Sequence, residues 1–423
     1  MRKIIASVQW FLYIVSSSIV VPVSVGALYG MTGQDSIDFI SRTFFVLALT
    51  GLLQVIFGHR LPINEGPAGL WWGFFILYAG IGTSLYGSAH ETLKVMEFSL
   101  LISGIIAILM TSLGLVARLS KLFTSTVIGT YLILLIVQLS GSFLNGMLGV
   151  TSKGAVSLKI LLVSTITAVL SFALSRSKLL GQFSIIISLG AGWAFYTLLG
   201  IDSQAGAKTD HILQLPSMFV FGGPRIEPGM LPIIFMITIL LITNMIASIK
   251  VVEKVMQTHT ELPLKPNSMK AGIAMGVSQM LGGLFSTMGT VAISGAAGFI
   301  RTNKIFTRGP FIIGSVLVLT ASLFSPIMAF FSTLPVAVGY AAILPVYVEI
   351  LTLGLKELFH SRDAEKVIKK ATIPLFTGIG LMFIPLDSFS ALPPLAVTLL
   401  SNGLVVGTLL ALAIEVFSRK SAA

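Results

Sequence analysis

The stretch LPINEGPAGLWWGFF, residues 61–75, places a carboxylate and two prolines inside an otherwise apolar part of the chain. Glu65 lies between Pro62 and Pro67. A membrane-spanning helix needs about 20 predominantly apolar residues in succession, and a proline inside a helix removes a backbone hydrogen bond. Irregular backbone at membrane depth persists only where it is buried in protein or lines a cavity. The stretch therefore predicts an interrupted span, with an extended piece over 61–65 and a helix that begins near Pro67.

The composition predicts an all-α polytopic membrane protein. The chain has 423 residues, of which 55% are hydrophobic and 10% are charged, whereas soluble domains carry about 25% charged residues. Apolar runs of membrane-spanning length recur from end to end, and they do not alternate as the strands of a β-barrel would. The chain has no cysteine, which excludes disulfides and thiolate metal sites.

The apolar runs predict about fourteen transmembrane segments. Their approximate bounds are 4–29, 39–58, 61–82, 96–119, 122–145, 157–175, 182–200, 229–250, 269–287, 289–301, 308–330, 334–356, 371–386 and 393–417. An even number of segments puts both termini on the same side of the membrane. Segments 3 and 10 are the two interrupted ones.

The connection at 201–228 divides these segments into seven and seven. A first half (1–200) and a second half (229–423) with odd numbers of spans must insert in opposite orientations, which is the inverted-repeat plan of many transporters. The sequence STMGTVAISGAAGFIR (286–301) interrupts segment 10 as 61–75 interrupts segment 3. It predicts an extended piece at 290–293 and a half-helix from near Ser294. Interruptions at matching positions indicate a central binding site, although small residues also permit close helix packing.

The distribution of the basic residues indicates the topology. The net charge is +11, from 27 Lys and Arg against 16 Asp and Glu. With both termini in the cytoplasm, most basic residues fall in cytoplasmic loops, as the positive-inside rule requires. The few on the other side are Arg42, Lys94, Lys153, Lys159, Lys208 and Arg225. We therefore expect a multi-pass plasma-membrane protein with cytoplasmic termini, and nothing in the charge pattern indicates a nucleic-acid partner.

Glu65 has two interpretations that the sequence leaves open. Intramembrane carboxylates face a cavity, pair with a cation or carry protons. Glu65 is therefore a candidate proton site that also contacts substrate. The alternative is a structural carboxylate paired with His59 or Arg60, which lie only a few positions away. We expect Glu97 and Glu415, near the ends of their segments, to reach the interface.

Polar residues elsewhere offer fewer candidates. Asn244 and Ser248 of segment 8 are spaced i,i+4 and share a helix face, where they either bind substrate or hold helices together. The histidines lack metal-ligand spacing, and no nucleotide-binding glycine motif is present. The sequence therefore predicts no metal, no cofactor and no enzymatic activity. Trp71 and Trp72 offer an aromatic face for a ligand, or anchor the chain at the membrane interface.

Four segments together resemble the nucleobase–ascorbate (NCS2) transporter family, the uracil/xanthine permeases. SVQWFLYIVSSSIVVP in segment 1 resembles the family's Gln-His element, with Gln9 matching and Trp10 in place of the histidine. LPINEGPAG in segment 3 resembles the family's proline, short strand and small-residue turn. SGAAGFIRTNKIFTR resembles its Asn-x-Gly segment, and SPIMAFFSTLPVAVGYA the stretch that leads to its Pro-Val-x-Gly-Gly element.

The resemblance implies a seven-plus-seven inverted repeat with short strands in segments 3 and 10. It also implies a core domain that moves against a gate domain, and often a homodimer. The implied activity is symport of a nucleobase, commonly with protons. Two departures concern the family's acidic residues: 243–247 contains no acid where segment 8 usually has one, and Gly295 and Ala296 align with the acid or polar pair of segment 10.

The leading hypothesis is a purine or pyrimidine permease that works by alternating access, with a proton (or sodium) as the coupling ion and Glu65 as the proton-coupling residue. Backbone amides of the two half-helices contact the base. The alternatives are an anion transporter of a related fold and a non-transporting membrane sensor. The predicted substrate-binding residues are Glu65, Ala68, Gly69, Asn244, Ser248, Gly295 and Ala296.

Overall fold

A computed structural model gives the fold. It describes residues 2–115, 124–150, 155–177, 180–201, 211–257, 266–359, 363–389 and 403–420, with single residues at 209, 392, 396 and 400. The first half contains α1 (Arg2–Ser18), α2 (Val20–Leu28), α3 (Gln34–Ile56), β1 (Glu65–Pro67), α4 (Gly69–Tyr86), α5 (Ala89–Ser112), α6 (Ser125–Leu148), α7 (Leu158–Ser175) and α8 (Ser184–Leu198). The second contains α9 (Leu231–Gln257), α10 (Ser268–Leu284), β2 (Thr290–Ala292), α11 (Ala296–Asn303), α12 (Arg308–Ser322), α13 (Ser325–Ser332), α14 (Val336–Phe359), α15 (Ala364–Met382) and α16 (Gly403–Lys420).

The described helices are those of a multi-pass membrane protein. Seven stretches are long and apolar enough to cross a bilayer, and they contain α1 with α2, α3, α5, α6, α7, α9 and α14. Shorter apolar helices include α8, α12 and most of α16. The prediction of fourteen spans stays a prediction. The predicted connection at 202–208 and 210, and much of 393–402 at the start of the last predicted segment, lie outside the described residues.

The helices pack as two groups. The core group contains α1, α3, α5, α9, α10 and α12, which pack on one another chiefly through the pairs α5–α10, α1–α12, α3–α12 and α5–α9. The flanking group contains α6, α7, α8, α14, α15 and α16, joined chiefly through α6–α14, α15–α16 and α7–α14. The pairs α5–α10 and α6–α14 each take one helix from each half of the chain. The two halves therefore interlock, and neither half forms a group by itself.

The first predicted segment is not one continuous helix. The structure ends α1 at Ser18 and begins α2 at Val20. Pro22 explains the break, because it has no N–H to donate to the carbonyl of Ser18, four residues earlier. The next amide, that of Val23, lies 3.5 Å from the carbonyl oxygen of Ile19. The two helices together form one stretch, Lys3–Leu28, that is long and apolar enough to cross a bilayer, as the predicted segment 4–29 requires.

The second part of the long connection covers one end of the core group. The amides of Gln214 and Phe219 donate to the carbonyls of Leu323 and Leu284 at 2.9 Å each. Arg225 forms an ion pair with Glu91 in the first turn of α5, at 3.2 Å. We call this covered end, over which residues 211–228 run, the connection face. Helices α3 and α5 run from this face into the core group, toward the interrupted segments.

Candidate functional site

The two interrupted segments meet as a two-stranded antiparallel sheet. Strand β1 pairs with β2 in the register Glu65↔Ala292, Gly66↔Val291 and Pro67↔Thr290. Two further backbone bonds extend the pair, from Ala68 to the Gly289 carbonyl at 2.9 Å and from Ile293 to the Asn64 carbonyl at 3.0 Å. Hydrogen bonding between the strands satisfies backbone groups that a broken helix would otherwise leave unpaired in the apolar interior. The crossing thus brings the two predicted breaks together.

Both half-helices begin later than the sequence predicts. Helix α4 begins at Gly69 with Ala68 as its N-cap, and α11 begins at Ala296 with Gly295 as its N-cap. The expected starts near Pro67 and Ser294 are each about two residues early. Pro67 lacks an N–H but still extends the strand, because the neighbouring Ala68 amide bonds to the carbonyl of Gly289, the residue before β2.

Two glycines permit the crossing. An added Cβ on Gly66 would lie 2.7 Å from the Ile293 side chain. An added Cβ on Gly289 would meet the ring of Trp71 and the amide oxygen of Gln279. Both distances are shorter than those at which real Cβ atoms contact other heavy atoms. Any side chain at either position would therefore push the strands or their supporting side chains apart.

Polar side chains from two other helices hold the strands. Gln279 of α10 accepts from the Trp71 indole N–H at 2.8 Å and donates to the Thr290 carbonyl at 2.5 Å. Ser248 of α9 donates to the Ala292 carbonyl at 2.8 Å. The sequence analysis missed Gln279, although an amide in an apolar helix was a signal that could have found it. Gln279 joins the start of α4 to β2, so it fixes one half-helix relative to the other interrupted segment.

Glu65 lies at the start of β1, inside the protein. Its side chain is 1% exposed, and neither carboxylate oxygen has a hydrogen bond of standard geometry. The Thr290 hydroxyl is an interacting neighbour, but it also lacks a hydrogen bond of standard geometry. A buried carboxylate without a partner is costly in the ionised state, so the site favours a bound proton on Glu65 when nothing else neutralises it.

The structural alternative for Glu65 finds no support among the described residues. His59 is buried, and its Nδ1 accepts from the Leu61 amide at 3.0 Å. Arg60 is exposed. Neither residue forms an ion pair with Glu65 within the described ranges. The carboxylate therefore stands apart from the basic residues that lie nearest to it in the sequence.

The predicted backbone contacts differ in what they can offer. The amides of Ala68 and Ala296 already donate to carbonyls, the first to Gly289 and the second to Ile293 at 3.2 Å. Gly69 and Gly295 stand at helix starts, where helix geometry supplies no partner for the N–H. Gly295 and the preceding Ser294 are also exposed. A polar ligand would therefore reach the end of α11 at Gly295 more readily than at Ala296.

The two predicted residues of α9, Asn244 and Ser248, lie in different environments. Ser248 is buried, and its hydroxyl serves the strand, whereas Asn244 is exposed. Helix α9 packs against both β2 and α11. Asn244 thus keeps an accessible amide near the crossing, whereas Ser248 supports the strands of the crossing.

An aromatic wall that the sequence analysis did not predict stands beside Gly295. The Tyr13 ring stacks on Phe299 at 4.4 Å, and the Tyr13 hydroxyl would lie 2.8 Å from an added Cβ on Gly295. Trp10, at the position where the resemblance has histidine, packs on Phe299 at 4.5 Å and on Phe311 at 5.0 Å. The i,i+3 spacing of Trp10 and Tyr13 was the available signal. Flat rings beside exposed amides suit a flat polar ligand.

Neither tryptophan of the opening stretch is an interfacial anchor. Trp71 and Trp72 are both buried. Trp71 bonds to Gln279, and Trp72 stacks on Tyr340 of α14 with ring centres 6.0 Å apart. Tyr347 of α14 contacts Trp72 edge-on at 5.6 Å. Trp72 therefore joins the half-helix α4 to the flanking group.

A model of the permease family Xan_ur_permease matches residues 1–418. The chain belongs to this family. A Bacillus subtilis (strain 168) protein named "Putative purine permease YwdJ" is 37% identical over 99% of this chain and 96% of its own length. The "Xanthine permease" of the same organism is 23% identical over 97% of this chain and 92% of its own length. The resemblance to the NCS2 family is thereby confirmed, and the chain is a permease rather than an enzyme.

The solved structures support the fold. The transmembrane domain of the cyanobacterial bicarbonate transporter BicA superposes with a TM-score of 0.64 and 16% identity, over 96% of each chain. At this identity the similarity concerns the fold alone.

Proposed function

We propose that the chain is a proton-coupled nucleobase permease that carries a purine or pyrimidine by alternating access. The crossing of the two interrupted segments is the observation that carries the proposal. It gathers a buried carboxylate (Glu65), two half-helix starts and an aromatic wall within one set of packed elements. A nucleobase has one flat face and a polar edge, which match the ring of Tyr13 and the exposed end of α11 at Gly295.

The proposed topology is the one that the sequence predicts. Fourteen spans form an inverted repeat, with halves at 1–200 and 229–423 and the connection at 201–228. Both termini lie in the cytoplasm, and the connection face lies outside the plasma membrane. The core group moves against the flanking group, and two chains form the homodimer that the resemblance implies. The bilayer covers the apolar helices of both groups.

A cavity between the two groups supports such a movement. It has a volume of about 260 Å³, and its lining includes Ser36 of α3 in the core group, and Tyr196 of α8 and Val336 of α14 in the flanking group. The groups are thus not packed continuously against each other. Because interior packing is otherwise close to that of a crystal, a gap at this boundary leaves room for one group to shift.

Counterflow in proteoliposomes tests the proposal. Vesicles loaded with unlabelled base should take up labelled uracil, xanthine, uric acid or guanine, at least one of them faster than empty vesicles do. Vesicles that contain the folded protein but exchange no base would contradict the nucleobase assignment. Sulfate and bicarbonate serve as control solutes, and stabilisation by these anions with no response to bases would indicate the anion-transport alternative.

A further inference from the structure

A second buried carboxylate lies under the connection face, apart from the crossing. Glu97 of α5 is 2% exposed. The sequence analysis expected it at the membrane interface, and that expectation is wrong because residues 219–225 of the connection cover the end of α5. Glu415, for which we had the same expectation, is also buried, and it pairs with Lys370 at 3.1 Å. Glu97 has no such ion pair among the described residues.

The hydrogen bonds of Glu97 reach it from the connection and from the segment before β2. The Ser286 hydroxyl donates to Oε1, and Ser286 Oγ accepts from the Val220 amide at 2.8 Å. The Phe221 amide also interacts with the carboxylate. Oε2 is buried and has no hydrogen bond of standard geometry. One oxygen is therefore held by Ser286, while the other remains available to a proton.

The charged groups around Glu97 do not neutralise it by contact. Arg42 of α3 is 4% exposed and acts on Glu97 electrostatically, but its guanidinium lies over the Phe221 ring at 6.0 Å and its Nε has no partner. Asp35 and Asp38 also act on Arg42. Lys94, on the helix of Glu97, is paired with Glu91 at 2.7 Å. A buried ionised carboxylate is costly without a contacting cation, so a bound proton would relieve this site.

Two segments join Glu97 to Glu65. The first runs from Ser286, which bonds to Glu97, to Thr290, which neighbours Glu65. Five residues span at most about 18 Å. The second is α3, whose Arg42 faces Glu97 and whose Gly51 approaches the Glu65 backbone: an added Cβ there would lie 4.0 Å from the Glu65 nitrogen.

A hydrogen bond between two hydroxyl groups joins these two segments. Thr287 Oγ1 lies 2.5 Å from Thr43 Oγ1 on α3. Thr43 already donates to the Phe39 carbonyl at 2.7 Å, so Thr287 is the donor in this pair. The pair ties the Ser286–Thr290 segment to α3, so the two segments that lead from Glu97 to Glu65 are in direct contact.

We propose that Glu97 is a proton-binding site of the transport cycle, loaded from the connection face, and that it delivers its proton toward Glu65 along Ser286–Thr290 and α3. A proton from water binds the free Oε2 and neutralises the carboxylate. The proton then passes to the ionised carboxylate of Glu65, so that Glu65 becomes neutral and Glu97 returns to the ionised state. The inference rests on the proposed function, because it assigns Glu97 a role in proton-coupled transport.

Initial uptake rates with the pH varied on the connection side test the inference. In Glu97→Gln the rate should no longer rise on acidification, while base exchange at equal pH stays within about twofold of the unaltered protein. Glu91→Gln is the matched control: it removes a carboxylate from the same end of α5, at a partly exposed ion pair, and should keep the acid response. A rate profile for Glu97→Gln that superimposes on that of the unaltered protein would overturn the inference. If Glu97→Gln lost both base exchange and the acid response, the inference would also be overturned, since Glu97 would then belong to the substrate site or to the residues that support it.

A second variant covers the case in which Glu97→Gln does not fold. Ser286→Ala removes the hydroxyl that stabilises the ionised carboxylate, so the acid response should move to higher pH. An unchanged response overturns the inference. Failure of the proposed function is distinguishable, because the unaltered protein would then exchange no base at any pH.

Discussion

Glu65 is the first residue of strand β1, and both of its carboxylate oxygens are buried without hydrogen bonds of standard geometry. Its side chain contributes no visible bond to the crossing, whereas Ser248 and Gln279 do. Burying a carboxylate that makes no hydrogen bond of standard geometry is costly, so such a residue in a membrane protein indicates a functional role. Proton binding is the role that fits both its burial and its lack of a basic partner.

Glu65→Gln should separate substrate exchange from proton-driven accumulation. The amide is close in size to the protonated acid but cannot release a proton, so we expect counterflow of the base to persist while accumulation under a pH gradient is lost. One pH unit drives about tenfold accumulation per proton. Steady-state uptake against a fixed gradient measures the effect.

Glu349→Gln is the control for this measurement. Glu349 lies on membrane helix α14 but is exposed, so its neutralisation should leave accumulation unchanged. Accumulation by Glu65→Gln equal to that of the unaltered protein would return Glu65 to a structural role.

At the scale of elements, the crossing depends on side chains that belong to neither interrupted segment. The strands β1 and β2 have three residues each, and an isolated strand pair of this size has little stability of its own. Helices α9 and α10 supply Ser248 and Gln279 to the carbonyls of β2. The frame of the site is therefore a product of helix packing in the core group.

Gln279→Leu should destabilise the fold more than an ordinary polar-to-apolar change. It leaves the Trp71 N–H without its acceptor inside the protein, and an unsatisfied buried polar group costs about 1–3 kcal/mol. The midpoint of thermal unfolding in detergent should fall accordingly. Gln257→Leu is the control, at an exposed position where Gln257 donates to Glu253. Equal midpoints for the two variants would argue against a structural role for Gln279.

Sequence patterns predicted the interrupted segments because proline, glycine and a carboxylate contradict a membrane helix locally. They could not predict the helix starts at Gly69 and Ala296, which depend on bonds from Ala68 and Ile293 to the opposite segment. The burial of Glu97 has the same cause, since it follows from the docking of a distant connection. The sequence thus predicted candidate residues for the site. Which of them support the crossing and which remain accessible to a ligand depends on the tertiary contacts.

At the scale of the whole molecule, α2 and α4 bring the core group against α14 of the flanking group. Trp72 of α4 stacks on Tyr340 and packs on Phe143 of α6 with ring centres 6.2 Å apart. Aromatic and aliphatic contacts have weak directional demands compared with hydrogen bonds. Such a boundary can separate and re-form at modest cost, as a cycle of relative movement between the groups requires.

A disulfide across this boundary tests whether the groups move. The Cβ of Val20 on α2 lies 3.7 Å from the position of a Cβ on Gly339 of α14, within the usual range of about 3.5–4.5 Å for disulfides. The chain has no cysteine of its own, so Val20→Cys with Gly339→Cys introduces a single possible bridge. Oxidation should stop base exchange, and reduction should restore it, because the bridge holds α2 against α14. The pair Gly26→Cys and Met31→Cys joins α2 to the turn that follows it, with a Cβ separation of 3.9 Å, and should remain active when oxidised. Full exchange by the oxidised Val20–Gly339 pair, with the bridge verified by mass spectrometry, would mean that transport does not separate the groups at this boundary.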